Sequence, residues 1–422
     1  MNVLSRDLRG ESPLPDRGYD VRMTGFSSRV RVEQAVSWVV DHSRPLPPED
    51  LPLCKLAGRV LASDVISDFD VPGFDRAMMD GFAVQSADTL GASPYNRLRL
   101  TLVGTILPGD DLLPQVSSGE TVKIMTGTAI PPGADAVLPV EQANFAGGEV
   151  FALSEVSPGK HVGRRGEDIA RGSMALSAGR RLRPQDLGVL SSIGVSEASV
   201  VCRPRVRILV TGNELLPPGS KPSGNRISDA NGPMLSALVR RDGGVPIYPG
   251  IVADAPDAIL AAMQSDVEMI LVSGGSSVGQ EDYAPTLLTK FGELSIHGIA
   301  MRPSSPAGMG RLSERLVFLL PGNPVSCLCA YDFFAGLAIR RLAGRPDRWP
   351  YVQTQLTLRR KLVSTVGRLD YARVRIADGE IEPIAISGAS ILSSTTRADG
   401  FVVIPEDSEG YPAGASVTVW LY

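Results

Sequence analysis

Cysteine, histidine, lysine and aromatic residues are all scarce in this chain, and each shortage closes off a class of function. The four cysteines (Cys54, Cys202, Cys327 and Cys329) form no C-x-x-C, and the C-x-C at 327–329 has no second pair to complete a metal framework. The three histidines (His42, His161 and His297) match no catalytic pattern with Ser and Asp, and with so few Cys and His the residues point away from zinc and iron–sulfur chemistry. So few thiols read as reduced and cytosolic. Aromatics make up 5%, too little for a base-stacking platform, and a net charge of −4 leaves no basic footprint. Nucleic acid is therefore not an expected partner. Lysine is the rarest cation, with 6 against 36 arginines, an imbalance read at this level as codon bias. Long apolar runs are missing too. The stretch 325–339 is broken by Asp332 and Gly336, and the first 31 residues mix Arg, Asp, Pro and Ser without an apolar export segment. The expectation is a cytoplasmic protein with no membrane partner.

What is present describes a folded, turn-rich chain. Its 422 residues suggest two to four domains at about 150 residues each. Hydrophobic residues at 43% can fill sizeable cores, while glycine (44) and proline (33) are well above usual proportions. Residues 1–27 form a polar tail. In 28–43, Val32, Ala35, Val36, Val39 and Val40 fall at helical spacing, with Ser28 as candidate N-cap. From about 60 to 160, runs such as LRLTLVGTIL and DAVLPVEQ alternate with Gly/Pro turns, which predicts a small β domain. Residues 161–196 read as helical, because PQDLGVLSSIG puts Leu187, Leu190 and Ile193 on one face.

From Val206 strands and helices alternate. VRILVTG, VEMILVSGG and RLVFLLPGN are buried strand runs separated by helical patterns, the signature of a doubly wound parallel sheet. After Gly344-Arg345-Pro346 the pattern returns to short strands. Ligands of such sheets bind outside the carboxyl ends of the strands. Three Gly-rich turns follow strands here: Thr211-Gly212-Asn213-Glu214, the segment 273–279 (SGGSSVG), and Pro321-Gly322-Asn323-Pro324. Glycine exposes backbone N–H groups as an anion nest, so three such turns on one sheet favour a phosphate-bearing ligand. None matches GxxxxGK[ST] or GxGxxG. Glu214, Asp229, Asp254 and Asp282 crowd the same turns, and hard oxygen donors point to Mg²⁺. Asp254 is equally readable as an N-cap of the helix after it.

Six motifs in one order, GFDRAMMDGFAV, IMTGTAIPPGADAVLPVEQ, RRGEDI, TGNEL, SGGSSVGQEDY and LPGNPVS, make the chain from about Arg29 to Tyr422 closely resemble the MoeA-type molybdopterin molybdenumtransferases, which share their fold with the gephyrin E domain. The resemblance implies an elongated, multi-domain homodimer with α/β and β parts. Residues 28–60 and 160–196 would form a discontinuous segment, 61–159 an inserted β domain, 197–344 an adenylyltransferase-like α/β domain binding molybdopterin, and 345–422 a C-terminal β-barrel. It implies insertion of molybdate into adenylylated molybdopterin with release of AMP, dependent on Mg²⁺, in an active site shared between subunits. A molybdopterin adenylyltransferase and acceptor molybdoenzymes would be partners. Carried over by motif, the catalytic set is Asp75, Thr126, Asp168, Glu214, Asp254 and Asp282, with Glu214, Asp254 and Asp282 as metal ligands. Cofactor-binding positions are Gly274, Gly275, Ser276, Ser277, Gly279, Arg302, Ser305, Pro321, Gly322, Asn323 and Pro324. Two departures stand out: Asn213 replaces the acidic residue of TGDEL, and Ser305 replaces the second lysine of a Lys-Pro-Gly-Lys-Pro segment in which Arg302 keeps the first cation. These departures leave open a paralogue that binds cofactor precursors as a scaffold, and a preference for tungstate.

Overall fold

A computed structural model describes residues 29–275, 283–385 and 388–422, and divides the chain into two compact units, Pro48–Val200 and the remainder. In the larger unit, VRILVTG becomes the strand Arg205–Thr211, an inner strand of a seven-stranded sheet. Val245–Ile247 and Met269–Ser273 flank it in parallel, and Arg315–Leu320 lies parallel beyond Met269–Ser273. Gly308–Leu312 and Glu293–His297 extend the parallel sheet with an antiparallel edge. A two-residue connection, with Ser313 at φ 55°, joins Gly308–Leu312 to Arg315–Leu320 and leaves no length for a crossover helix.

Successive strand residues face opposite sides, and both sides are covered. Val206, Ile208 and Val210 pack with Val32, Ala35 and Val39 of the helix Val32–His42, with Leu235 and Val239 of Asn231–Asp242, and with the 324–342 helical segment. Leu209, Ile270 and Val272 face Ile259 and Met263 of Pro256–Met263 and Leu287 and Leu288 of Tyr283–Phe291. Side chains wholly removed from water in this way each stabilise the fold by about 1.5–3 kcal/mol. The helix at the start of this unit begins at Val32, with Arg31 rather than Ser28 in the cap position; the Arg31 N–H donates to Gln34 Oε1 at 3.2 Å. Ser28 lies outside the described residues.

A closed β-barrel follows the sheet. Leu369–Ala377, Glu380–Ala385, Val352–Leu358, Ser416–Leu421 and Gly400–Ile404 form a ring in that order, the last pairing back to the first. Met301–Arg302 adds to the ring in parallel with Leu369 and Asp370.

The unit Pro48–Val200 contains a six-stranded sheet with its own apolar clusters, one on Phe82, Leu100 and Leu138 and another on Val122, Ile124 and Val137. The expectation of helix throughout 161–196 is corrected here. Only Pro184–Ser192 is α-helical, while Val162–Gly163 and Met174–Leu176 pair as short strands. Gly166, Gly172 and Gly179 all take positive φ, and each such turn breaks a helix. Among the described residues no helix is long and apolar enough to cross a membrane.

Candidate functional site

The three Gly-rich turns belong to adjacent parallel strands and converge at their carboxyl ends. Gly274 has φ 95°, and a Cβ there would sit 2.2 Å from Thr211 O, so only glycine lets the second turn cross the end of the first strand. A Cβ on Gly322 would lie 3.5 Å from Gly274 Cα, so the third turn abuts the second. Asn231, at the start of its helix, pins this meeting point. Its Nδ2 donates to Ser273 Oγ at 2.9 Å and to Gly322 O at 2.7 Å. Buried Asp229 anchors that helix start, accepting from the backbone N–H of Asn231 and Gly232 and from Tyr248 OH at 2.6 Å.

Glu214 and Asp254 stand at the head of the same strand. Glu214 is exposed, and a Cβ on Gly212 would be 2.7 Å from Glu214 Oε2, so this glycine admits the carboxylate. Asp254 is not a helix cap: Ala255 takes that position, and Asp254 Oδ1 accepts from Thr211 Oγ1 at 3.0 Å. No three His, Cys, Asp or Glu side chains among the described residues form a metal cage. Mg²⁺ usually takes only one or two protein carboxylates and completes its shell with water and substrate phosphate, so a cage of three side chains is not required for it. Asp282, Ser276, Ser277 and Gly279 lie outside the described residues; Gly275 is described, with φ 56°.

Beside the third turn opens a cavity of about 740 Å³, lined by Arg302, Ser305, Pro321 and Asn323 from the sheet side and by Thr365 and Arg368 from the barrel. Pro324 begins the helix behind it, with Asn323 in the cap position. Pairing of Met301–Arg302 with Leu369 and Asp370 brings Arg302 to Asp370, a fully buried carboxylate that also accepts from Ser364 Oγ at 2.7 Å and lies 3.5 Å from Arg368 Nε. Three buried donor atoms on lining residues, Ser305 Oγ, Arg302 Nε and Arg368 Nε, have no hydrogen-bond partner among the described residues.

Asp75, Thr126 and Asp168 lie in the other unit. The Asp75 carboxylate accepts from the Arg165 N–H at 2.8 Å and from Arg164 Nη1 at 3.0 Å, and these bonds hold it below the usual carboxylate range. Asp168 is exposed. Thr126 has a partner that the sequence reading missed: Asp80 Oδ1 accepts from both its N–H and its Oγ1, each at 2.7 Å. The Thr126 backbone bond, then its hydroxyl, lower the pKa of Asp80. The signal was within the quoted MDG motif, but nothing in it distinguishes Asp80 from Asp75.

Residues 30–194 match the model of the MoeA N-terminal region (domain I and II), 207–341 that of a probable molybdopterin binding domain, and 355–422 that of the MoeA C-terminal region (domain IV). Molybdopterin molybdenumtransferase 2 of Mycobacterium tuberculosis is 32% identical over 398 residues, covering 90% of this chain and 97% of its own. The molybdopterin molybdenumtransferase of Haemophilus influenzae is 31% identical, covering 89% of this chain and 94% of its own. A crystal structure of the molybdopterin biosynthesis MoeA protein from Pyrococcus horikoshii, 31% identical, matches 94% of this chain and 100% of its own with a TM-score of 0.79. With likeness of this extent running through both units, the chain belongs to the MoeA family.

Proposed function

We propose that the chain is a molybdopterin molybdenumtransferase acting in the cytoplasm, which inserts molybdate into adenylylated molybdopterin and releases AMP as the phosphoric anhydride is hydrolysed. The names of its relatives support the reaction. The observations that carry the site are the convergence of three Gly turns at the strand ends, with Glu214 and Asp254 at the first, and the cavity at the third turn, whose lining arginines and serine hold buried donors without hydrogen-bond partners among the described residues. A ligand rich in acceptor oxygens, such as an oxyanion or phosphate, suits those donors.

Mg²⁺ bound by Glu214 and Asp254, with Asp282 as the third proposed ligand, would neutralise charge on the breaking phosphate bond. Thr211 holds Asp254 in place through a bond to one of its carboxylate oxygens. Gly274, Gly275 and Gly322 admit the pterin phosphate and adenylate to backbone N–H groups, and Ser276, Ser277 and Gly279 belong to the same proposed cradle. Arg302, Ser305, Pro321, Asn323 and Pro324 serve the oxyanion side. Asp75, Thr126 and Asp168, now with Asp80, would face the cleft of a second subunit in a homodimer. The exposed apolar residues Met78, Met79 and Met125 around the Asp80–Thr126 pair support burial against such a copy. Two joints of the proposed four-part division, after residues 196 and 344, lie near family-model boundaries, which supports that part of it. Adenylylated substrate implies an adenylyltransferase upstream, and the product implies acceptor molybdoenzymes.

The test incubates the full chain with adenylylated molybdopterin, molybdate and Mg²⁺ and follows AMP. Molybdate-dependent AMP release is expected, falling about tenfold or more in Glu214→Gln and Asp254→Asn with the fold intact. Tight binding of the precursor without molybdate-dependent AMP would reject the transferase and leave a precursor-binding scaffold.

A further inference from the structure

The cavity beside the third turn carries a charge pattern of its own. Three arginines line it, Arg29, Arg302 and Arg368, and no Asp or Glu is among its described lining residues. Arg302 and Arg368 are both drawn to one buried carboxylate, Asp370, which offsets one of their two charges. Arg29 differs. It reaches the cavity through a separate strand-like contact: Val30 bridges Ile299, its N–H donating to Gly298 O at 3.0 Å and its carbonyl accepting from Ala300 N at 2.8 Å. Arg29 is exposed and forms no ion pair among the described residues. Counted over the described residues, the pocket carries about two positive charges, one of them on Arg29.

We infer that Arg29 is the residue by which this cavity selects a doubly charged tetrahedral oxyanion over a singly charged one of the same shape. The inference rests on the reading of the cavity as the oxyanion site and adds its charge selectivity. Arg302 with Arg368 over Asp370 supplies one uncompensated charge, sufficient for a monoanion. Ser305 supplies a neutral hydroxyl, so a dianion draws its second counter-charge from the exposed lining residue Arg29. An exposed cation acts through partly screened Coulomb attraction, so its contribution shrinks as salt rises.

The experiment uses the full chain and two isosteric probes, molybdate as dianion and perrhenate as monoanion, with affinities measured by calorimetry at low and high salt. The wild type is expected to favour molybdate. Arg29→Gln should weaken molybdate about tenfold and perrhenate about threefold or less, a difference that narrows in high salt, while Arg29→Lys restores molybdate binding. Circular dichroism checks that each variant is folded. Equal losses for both anions, or no loss, with Arg302→Ala still abolishing binding, overturn the role of Arg29 and leave the oxyanion site standing. Molybdate binding that is absent from the wild type, or unchanged by Arg302→Ala, overturns both.

Discussion

Asn231 illustrates how one buried amide can set the geometry of two loops. At 6% exposure, it donates from one nitrogen to the ends of two strands, so its removal leaves Gly322 O without that donor and loosens Ser273. Asn231→Ala is expected to cost about 2 kcal/mol in denaturant unfolding, the usual penalty for stranding buried polar groups. Turnover should fall further than stability explains, since the turns that Asn231 joins form the proposed phosphate cradle. Unchanged turnover in a folded variant would remove Asn231 from the positioning of that cradle. At this scale the sequence offers residue types but not partners. Thr126 and Asp80 are 46 positions apart, and Asp75 meets Arg164 and Arg165 about 90 positions away. Asp254 was equally legible as a cap or a ligand, and only its bond to Thr211 separates the two readings.

Elements were legible where periodicity alone decides them. The runs around Val206, Met269 and Leu316 are unbroken because both faces of their sheet are covered, and such runs read correctly as buried strands. Residues 161–183 were not legible as short strands, because two- and three-residue pairings leave no period to detect. Nor was the π-helical turn Tyr331–Ala335 within the last helical segment of the sheet unit. Asp332, which breaks the apolar run in sequence, is fully buried there and accepts from Arg241 at 2.8 Å and Tyr351 OH at 2.9 Å. Helix Pro184–Ser192 permits a direct test of an element's anchor. Asp186 at its third position accepts from Arg180 Nη2 and from the Arg183 N–H, both at 2.8 Å, and the Arg180 bond is the main cause of a pKa far below the usual carboxylate range. A lowered folded pKa stabilises above the unfolded value near 3.8, and that stability is lost as pH falls toward the folded value. Asp186→Ala should therefore lose about 2 kcal/mol at pH 7, and the gap from wild type should close on acidification below about pH 4. A gap independent of pH would assign Asp186 a packing role instead.

At the scale of the whole molecule, the cavity joins stretches that no sequence window contains: Arg29, residues 300–306, the third turn, and residues 365–368 of the barrel. All of them lie in one compact unit, whereas Pro48–Val200 is built on separate apolar clusters. Units with independent cores are free to unfold in separate transitions, and a ligand that binds only the folded form stabilises the unit that holds it. At a hundred times its dissociation constant, molybdate should stabilise the sheet-and-barrel unit by about 2.7 kcal/mol, raising its calorimetric midpoint by about 5 °C or more. The transition of Pro48–Val200 should stay in place, and Arg302→Ala should abolish the shift in the other. Molybdate that moves only the Pro48–Val200 transition would locate the oxyanion elsewhere. A single transition shifted as one would instead mean that the two units unfold together, making the anion's effect a property of the whole chain.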